Sequence, residues 1–171
     1  MDRFSYSLNR KTEPPVGWGF IMVSILLGFM LTAIPLPSWA EAWRPCWIAL
    51  LIFYWCINFP NKTGVIFAFV TGIFLDVFND GTLGEQALCL SMVSLVATTY
   101  SKRFKIYPRL QQGVFVAVLF LIYVFLVRKI QNFDAPLVDG ITPVGEVISS
   151  AFLWPWLVLL LDEMARRVYF R

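Results

Sequence analysis

Histidine is absent from this chain of 171 residues. That removes Ser-His and Cys-His nucleophile pairs and the common histidine-based metal sites. Charge is scarce too. Asp, Glu, Lys and Arg make up 15% of the residues, where a soluble domain carries about a quarter. Cysteine is limited to Cys46, Cys56 and Cys89, all in apolar stretches and without a Cys-x-x-Cys pair. They read as buried free thiols acting as small hydrophobes. No glycine-rich phosphate loop occurs, and no pair of acids is poised within the apolar segments for acid–base work. No enzyme activity, cofactor or metal is expected. A calcium loop among Asp76, Asn79, Asp80 and Glu85 fails on spacing, because glycine at the sixth position and glutamate at the twelfth are not met.

Apolar residues take the place of the missing charge. They form 58% of the chain, and the mean hydropathy is +0.69. Such a chain cannot cover a water-facing surface, so lipid must be part of its solvent. A membrane-spanning helix needs about 20 apolar residues. Six segments qualify or nearly so: residues 17–36, 47–59, 64–78, 86–100, 111–127 and 144–161. The second is short and reaches full length only if Trp43 to Cys46 join it. Pro155 should kink the sixth. Turn chemistry at Pro60-Asn61-Lys62 and Asn79-Asp80-Gly81 separates the middle segments. Residues 38–40 loosely fit a signal-peptidase site, but the apolar stretch before them exceeds the roughly 7–15 residues of a signal core. The first segment is therefore expected to remain as a span. The expectation is an all-α integral membrane protein of about six transmembrane helices, one polytopic domain over residues 1–171.

The basic residues orient it. With the N-terminus cytoplasmic, eleven of the fourteen Lys and Arg fall inside, and only Arg44, Arg128 and Lys129 fall outside. By the positive-inside rule both termini are cytoplasmic, with tails at 1–16 and 162–171. Trp18, Trp39, Trp43 and Trp47 read as interfacial anchors. The Asn61-Lys62-Thr63 sequon then faces the cytoplasm and is discounted. The basic turn Lys102, Arg103, Lys105 and Arg109 serves either topology and anionic lipid or a cytoplasmic partner.

Gly64, Ala68, Gly72 and Asp76 recur every four residues and make one stripe on a helix. Small residues at this spacing let a neighbour approach closely. Ala87, Ser91, Ser94 and Thr98 form a second stripe, and Ser24, Gly28 and Thr32 a third. The first two faces should pack together or line a shared cavity. Asp76 stands near the outer end of its segment. A carboxylate in a bilayer is expensive and usually faces the protein interior. It either caps a neighbouring turn or takes part in binding. No basic residue sits at its depth, although Arg44 or Arg128 could reach it. Asn79, Gly81 and Gly84 follow in a tight turn.

Several elements together resemble one known family. They are Ile34-Pro35-Leu36-Pro37, then Trp43-Arg44-Pro45, then Tyr54-Trp55 closing on Pro60. Gly72-Ile73-Phe74-Leu75-Asp76 follows, with Gly81-Thr82-Leu83-Gly84 after it. Last comes Arg103-Phe104-Lys105-Ile106-Tyr107-Pro108 with Gln111-Gln112. In this order they resemble the rod shape-determining protein MreD family. The resemblance implies a bacterial inner-membrane protein without catalytic activity. It implies binding to an MreC-type single-span partner, and through it to MreB, RodA and the associated transpeptidase. No nucleic acid is implied. It also implies a fold similar to the substrate-binding subunits of energy-coupling-factor transporters. Those carry an outer-face cavity, here expected at the third and fourth segments, Asp76 and the loop 79–85. A scaffold in the wall-elongation machinery, a solute-binding subunit, and a binder of a lipid-linked wall precursor are the functions that follow.

Overall fold

The computed structural model describes residues 17–35, 37, 43–79, 82–104, 106–131 and 141–169. Among them are six helices and no strand: α1 (Trp18–Ala33), α2 (Trp47–Asn58), α3 (Val65–Phe78), α4 (Glu85–Phe104), α5 (Arg109–Gln131) and α6 (Ile141–Tyr169). Prolines set many of the breaks. Ile34, ahead of Pro35, turns extended and ends α1, because a proline disfavours helical backbone in the residue before it. Phe59 leaves the helix ahead of Pro60 and ends α2.

Two helices, α5 and α6, contain stretches long and apolar enough to cross a membrane, at Gln111–Ile130 and Val144–Ala165. The helices α1, α2 and α3 are apolar but have 16, 12 and 14 residues. Trp43 to Cys46 do not extend α2. Pro45 disfavours helix at Arg44, and the Arg44 side chain is drawn instead to the end of α1. Pro155 lies within α6 without ending it. Nor does α6 stop with its apolar run. It continues to Tyr169, so most of the expected tail is helical. No glycine or proline follows Pro155 to break it, and Glu163 and Arg167 pair across one turn at 3.1 Å.

The helix α2 is the core. Every residue from Ile48 to Ile57 is buried, as expected of a helix that is apolar all round. Helices α1, α4 and α6 pack against it, while α3 packs on α4, and α5 on α4 and α6. At roughly 1.5 Å per residue α2 is about 18 Å long, well short of a hydrocarbon core of about 30 Å. Protein, not lipid, surrounds it, so it has no bilayer thickness to match. In the half of the core away from its N-terminus, Phe53 stands among Phe104, Phe115, Phe120 and Trp154, with ring centroids 5.2–6.4 Å away. The outward faces are also apolar. Leu26, Ile66, Phe74, Leu95, Leu121, Phe125, Phe152 and Trp156 are all exposed. An apolar belt carried on five helices is far more than a soluble surface tolerates.

Glycine sets two helix separations. A Cβ on Gly28 would meet Leu51 Cδ1 of α2 at 2.5 Å. A Cβ on Gly72 would meet the Ala87 Cα of α4 at 2.3 Å and its backbone nitrogen at 2.8 Å. The first obstacle is the tip of a side chain, which can rotate away. The second is backbone, which must move as a helix. Gly72→Ala should therefore cost about 2–3 kcal/mol, and Gly28→Ala about 1 kcal/mol or less. Thermal unfolding in detergent checks the ranking. A Gly28 variant less stable than the Gly72 variant would contradict it.

Candidate functional site

Helix α4 begins inside the protein, so its first amide groups have no water to bond. Asp76, 1% exposed on α3, supplies the acceptors. Its Oδ1 accepts the Gln86 N–H at 2.8 Å, and its Oδ2 accepts those of Gly84 at 2.8 Å and Ala87 at 3.3 Å. The carboxylate thus caps a helix other than its own. It answers the positive end of that helix dipole with a full negative charge. Gly84 adopts φ +105°, a left-handed conformation that glycine enters without strain. That turn aims its N–H at Asp76.

The stripe on α3 makes this reach possible. Gly72 lies one turn below Asp76 and lets α3 and α4 touch at Ala87. Ala68, fully buried, continues the same face. Gly64 does not share in the contact. It stands at the N-terminal cap of α3, where an added Cβ would find only Pro60 O, 3.9 Å away. On α4, Ser94 is buried and meets Cys56 Sγ of α2 at 3.2 Å. Ser91 and Thr98 are half-buried and bond back to their own helix, to Ala87 O and Ser94 O. On α1, Ser24 accepts the Trp55 Nε1–H at 2.9 Å. The small-residue faces are thus spent on internal packing.

A cavity of about 450 Å³ opens at the same end of the bundle. Its lining departs from the expected one. Leu75, Asn79 and Gln86 of the α3–α4 region take part, but Asp76 does not. The other walls are Thr32, the stretch from Arg44 to Ala49, Tyr123, Arg128 and Glu146. Neither arginine reaches Asp76 among the described residues. Arg44 Nη2 donates to Thr32 O and to Ile34 O, the latter at 3.2 Å, and so caps the carbonyl end of α1. Arg128 Nη2 donates to Glu146 Oε1 at 2.5 Å. Sequence reasoning missed Glu146. It lies one turn into the sixth apolar segment, much as Asp76 lies one turn from the end of the third, and that was the available signal. It also missed the bond from Tyr54 Oη to Asp162 Oδ1 at 2.5 Å, which ties α2 to α6.

At the opposite end, Lys102 and Arg103 are exposed on the last turn of α4. The turn beyond them is closed by Gln112 Nε2, which donates to Phe104 O at 3.1 Å and Tyr107 O at 3.0 Å. Arg109 opens α5. Gly81 and Lys105 lie outside the described residues, as do Asp80, the tail 1–16 and the segment 132–140.

Replacing Asp76 by Asn removes the charge and turns amide hydrogens toward amide hydrogens. The loss should be about 2 kcal/mol or more. Hydrogen exchange at Gly84, Gln86 and Ala87 should accelerate together with the fall in melting temperature. Unchanged exchange at these three amides would show that Asp76 is not their cap.

Comparison with known proteins agrees with the resemblance seen in the sequence. Residues 16–164 match the family described as rod shape-determining protein MreD. The chain is 27% identical over 156 residues to the rod shape-determining protein MreD of Haemophilus influenzae (strain ATCC 51907 / DSM 11121 / KW20 / Rd), covering 88% of this chain and 93% of that protein. No solved structure matches it. The family is named for shape determination and not for a reaction. This chain belongs to the rod shape-determining protein MreD family, and its membership points to a role in rod shape determination.

Proposed function

We propose that the protein is a non-catalytic scaffold of the bacterial inner membrane. In this reading the chain passes through the bilayer six times, its short α2 lying inside the bundle, with both termini cytoplasmic. It binds an MreC-type single-span partner and through it connects to MreB, RodA and the transpeptidase of wall elongation. A fold akin to the substrate-binding subunits of energy-coupling-factor transporters belongs to the same reading.

One observation carries the partner assignment. Helices α1 and α6 both lean on α2 and leave a groove of about 580 Å³ between them. Its walls are apolar: Val23, Leu27 and Leu31 on one side, Leu153, Trp156 and Leu160 on the other. Its floor is Leu51 of the core helix, beside Ser24 and Gly28. In a bilayer, association rests on close van der Waals packing more than on expelled water. A groove open to lipid and floored by the core helix suits one transmembrane helix. A second apolar groove, between α1 and α3, is walled by those two helices alone. The apolar outward faces support the six-span reading.

The test is co-purification in mild detergent after co-expression with an MreC-type partner. Filling the groove with Val23→Trp and Leu160→Trp changes only exposed apolar positions. Co-elution should be lost in that variant and kept in Leu121→Trp on the far face of α5. Undiminished co-elution of the filled groove would remove it as the docking site.

A further inference from the structure

We propose that the polar cavity at the N-terminal end of α2 is an oxyanion-binding site, for a phosphate-type group carried by a soluble solute or by a lipid. The proposal is independent of the partner reading, since the groove and the cavity are different places.

Three features of the cavity agree on the sign of its occupant. First, its lining holds two cations, Arg44 and Arg128, against one anion, Glu146. Asp76 lies nearby but does not line the cavity, and its oxygens face the amides of α4. Second, Arg44 retains an unused donor. Its Nη2 is committed to the carbonyls of α1, but its Nε is buried and has no partner among the described residues. A guanidinium is a planar fork whose N–H groups match an oxyanion. Third, α2 starts without a side-chain cap. The Cys46 N–H goes to Ser150 Oγ and the Trp47 N–H to Pro45 O. The next two amides, of Ile48 and Ala49, have no acceptor among the described residues. Both residues are buried, at 2% and 1% exposure, and both line this cavity. A buried amide needs a partner, and an uncapped helix start is positive.

The remaining lining discriminates. Asn79, Gln86 and Tyr123 add neutral hydrogen-bonding groups, the usual means of fixing the orientation of a ligand in such a pocket. Glu146 has a regulating position. It holds Arg128 at 2.5 Å, and an arriving oxyanion must share that guanidinium with it. Neutralising Glu146 should therefore strengthen anion binding, an effect opposite to simple damage.

The experiment uses the full chain in detergent, with melting temperature read at constant ionic strength. Sodium phosphate should stabilise the wild type over sodium chloride in a saturable way. Arg128→Gln should weaken the apparent phosphate affinity by about tenfold or more, as expected for one charge-assisted contact. Glu146→Gln should tighten it. Arg103→Gln, at the far end of the bundle, should leave it unchanged. Native mass spectrometry then separates the sources. One retained phosphatidylglycerol per protein, lost in Arg128→Gln and with no phosphatidylcholine retained, assigns the group to a lipid head. Saturable phosphate binding without lipid retention assigns it to a soluble solute. The absence of both phosphate stabilisation and lipid retention in the wild type would overturn the proposal. So would equal responses in wild type, Arg128→Gln and Glu146→Gln.

Discussion

A carboxylate and a helix start are each costly to bury alone, and in this protein each removes the other's cost. Asp76 in an apolar setting would be an uncompensated charge. The first turn of α4 would hold amides with nothing to bond. Joined, they make three charge-assisted hydrogen bonds between two helices. The join has a strict geometric condition. The carboxylate reaches those amides only where α3 and α4 touch backbone to backbone, and Gly72 against Ala87 provides that contact. The position of α4 follows from it, and α4 in turn packs against α2, α3 and α5.

The same logic explains why a twelve-residue helix can be the core. With almost none of its surface toward lipid, α2 is free of the bilayer's thickness. Its ends must still be met. Pro60 and the bonds of Lys62 and Thr63 amides to Phe59 O close one end. The other end opens into a chamber of arginines, amides and a glutamate. Opposite charges are used correctly on helix ends there: Asp76 at the amide start of α4, Arg44 at the carbonyl end of α1. The protein thereby gathers Arg44, Arg128 and Glu146 into one chamber, while its outward belt stays apolar.

Much of this was legible in the residues. The helices were readable because prolines and the Asn79–Gly84 turn interrupt apolar runs. The contact of α3 with α4 at Gly72 was readable because small residues recur along α3 every fourth position, although Gly64 of that stripe takes no part. Asp76 was conspicuous as an acid among apolar neighbours. Partner choice was not legible. That Arg44 turns to α1, that Arg128 takes Glu146, and that Tyr54 meets Asp162 depend on helix placement over 12, 18 and 108 residues of separation. The central place of α2 was hidden for another reason. A helix apolar all round reads alike whether protein or lipid surrounds it. The length of α6 was hidden because charge ends an apolar run without ending a helix.

A double-mutant cycle on Gly72→Ala and Asp76→Asn, read as unfolding free energy in detergent, tests the central claim most directly. If the close contact exists to let the carboxylate cap α4, either change alone breaks the cap. The double variant should then be more stable than the sum of the two losses implies, with a coupling of about 1 kcal/mol or more. Additivity within about 0.5 kcal/mol, the behaviour of independent sites, would contradict it.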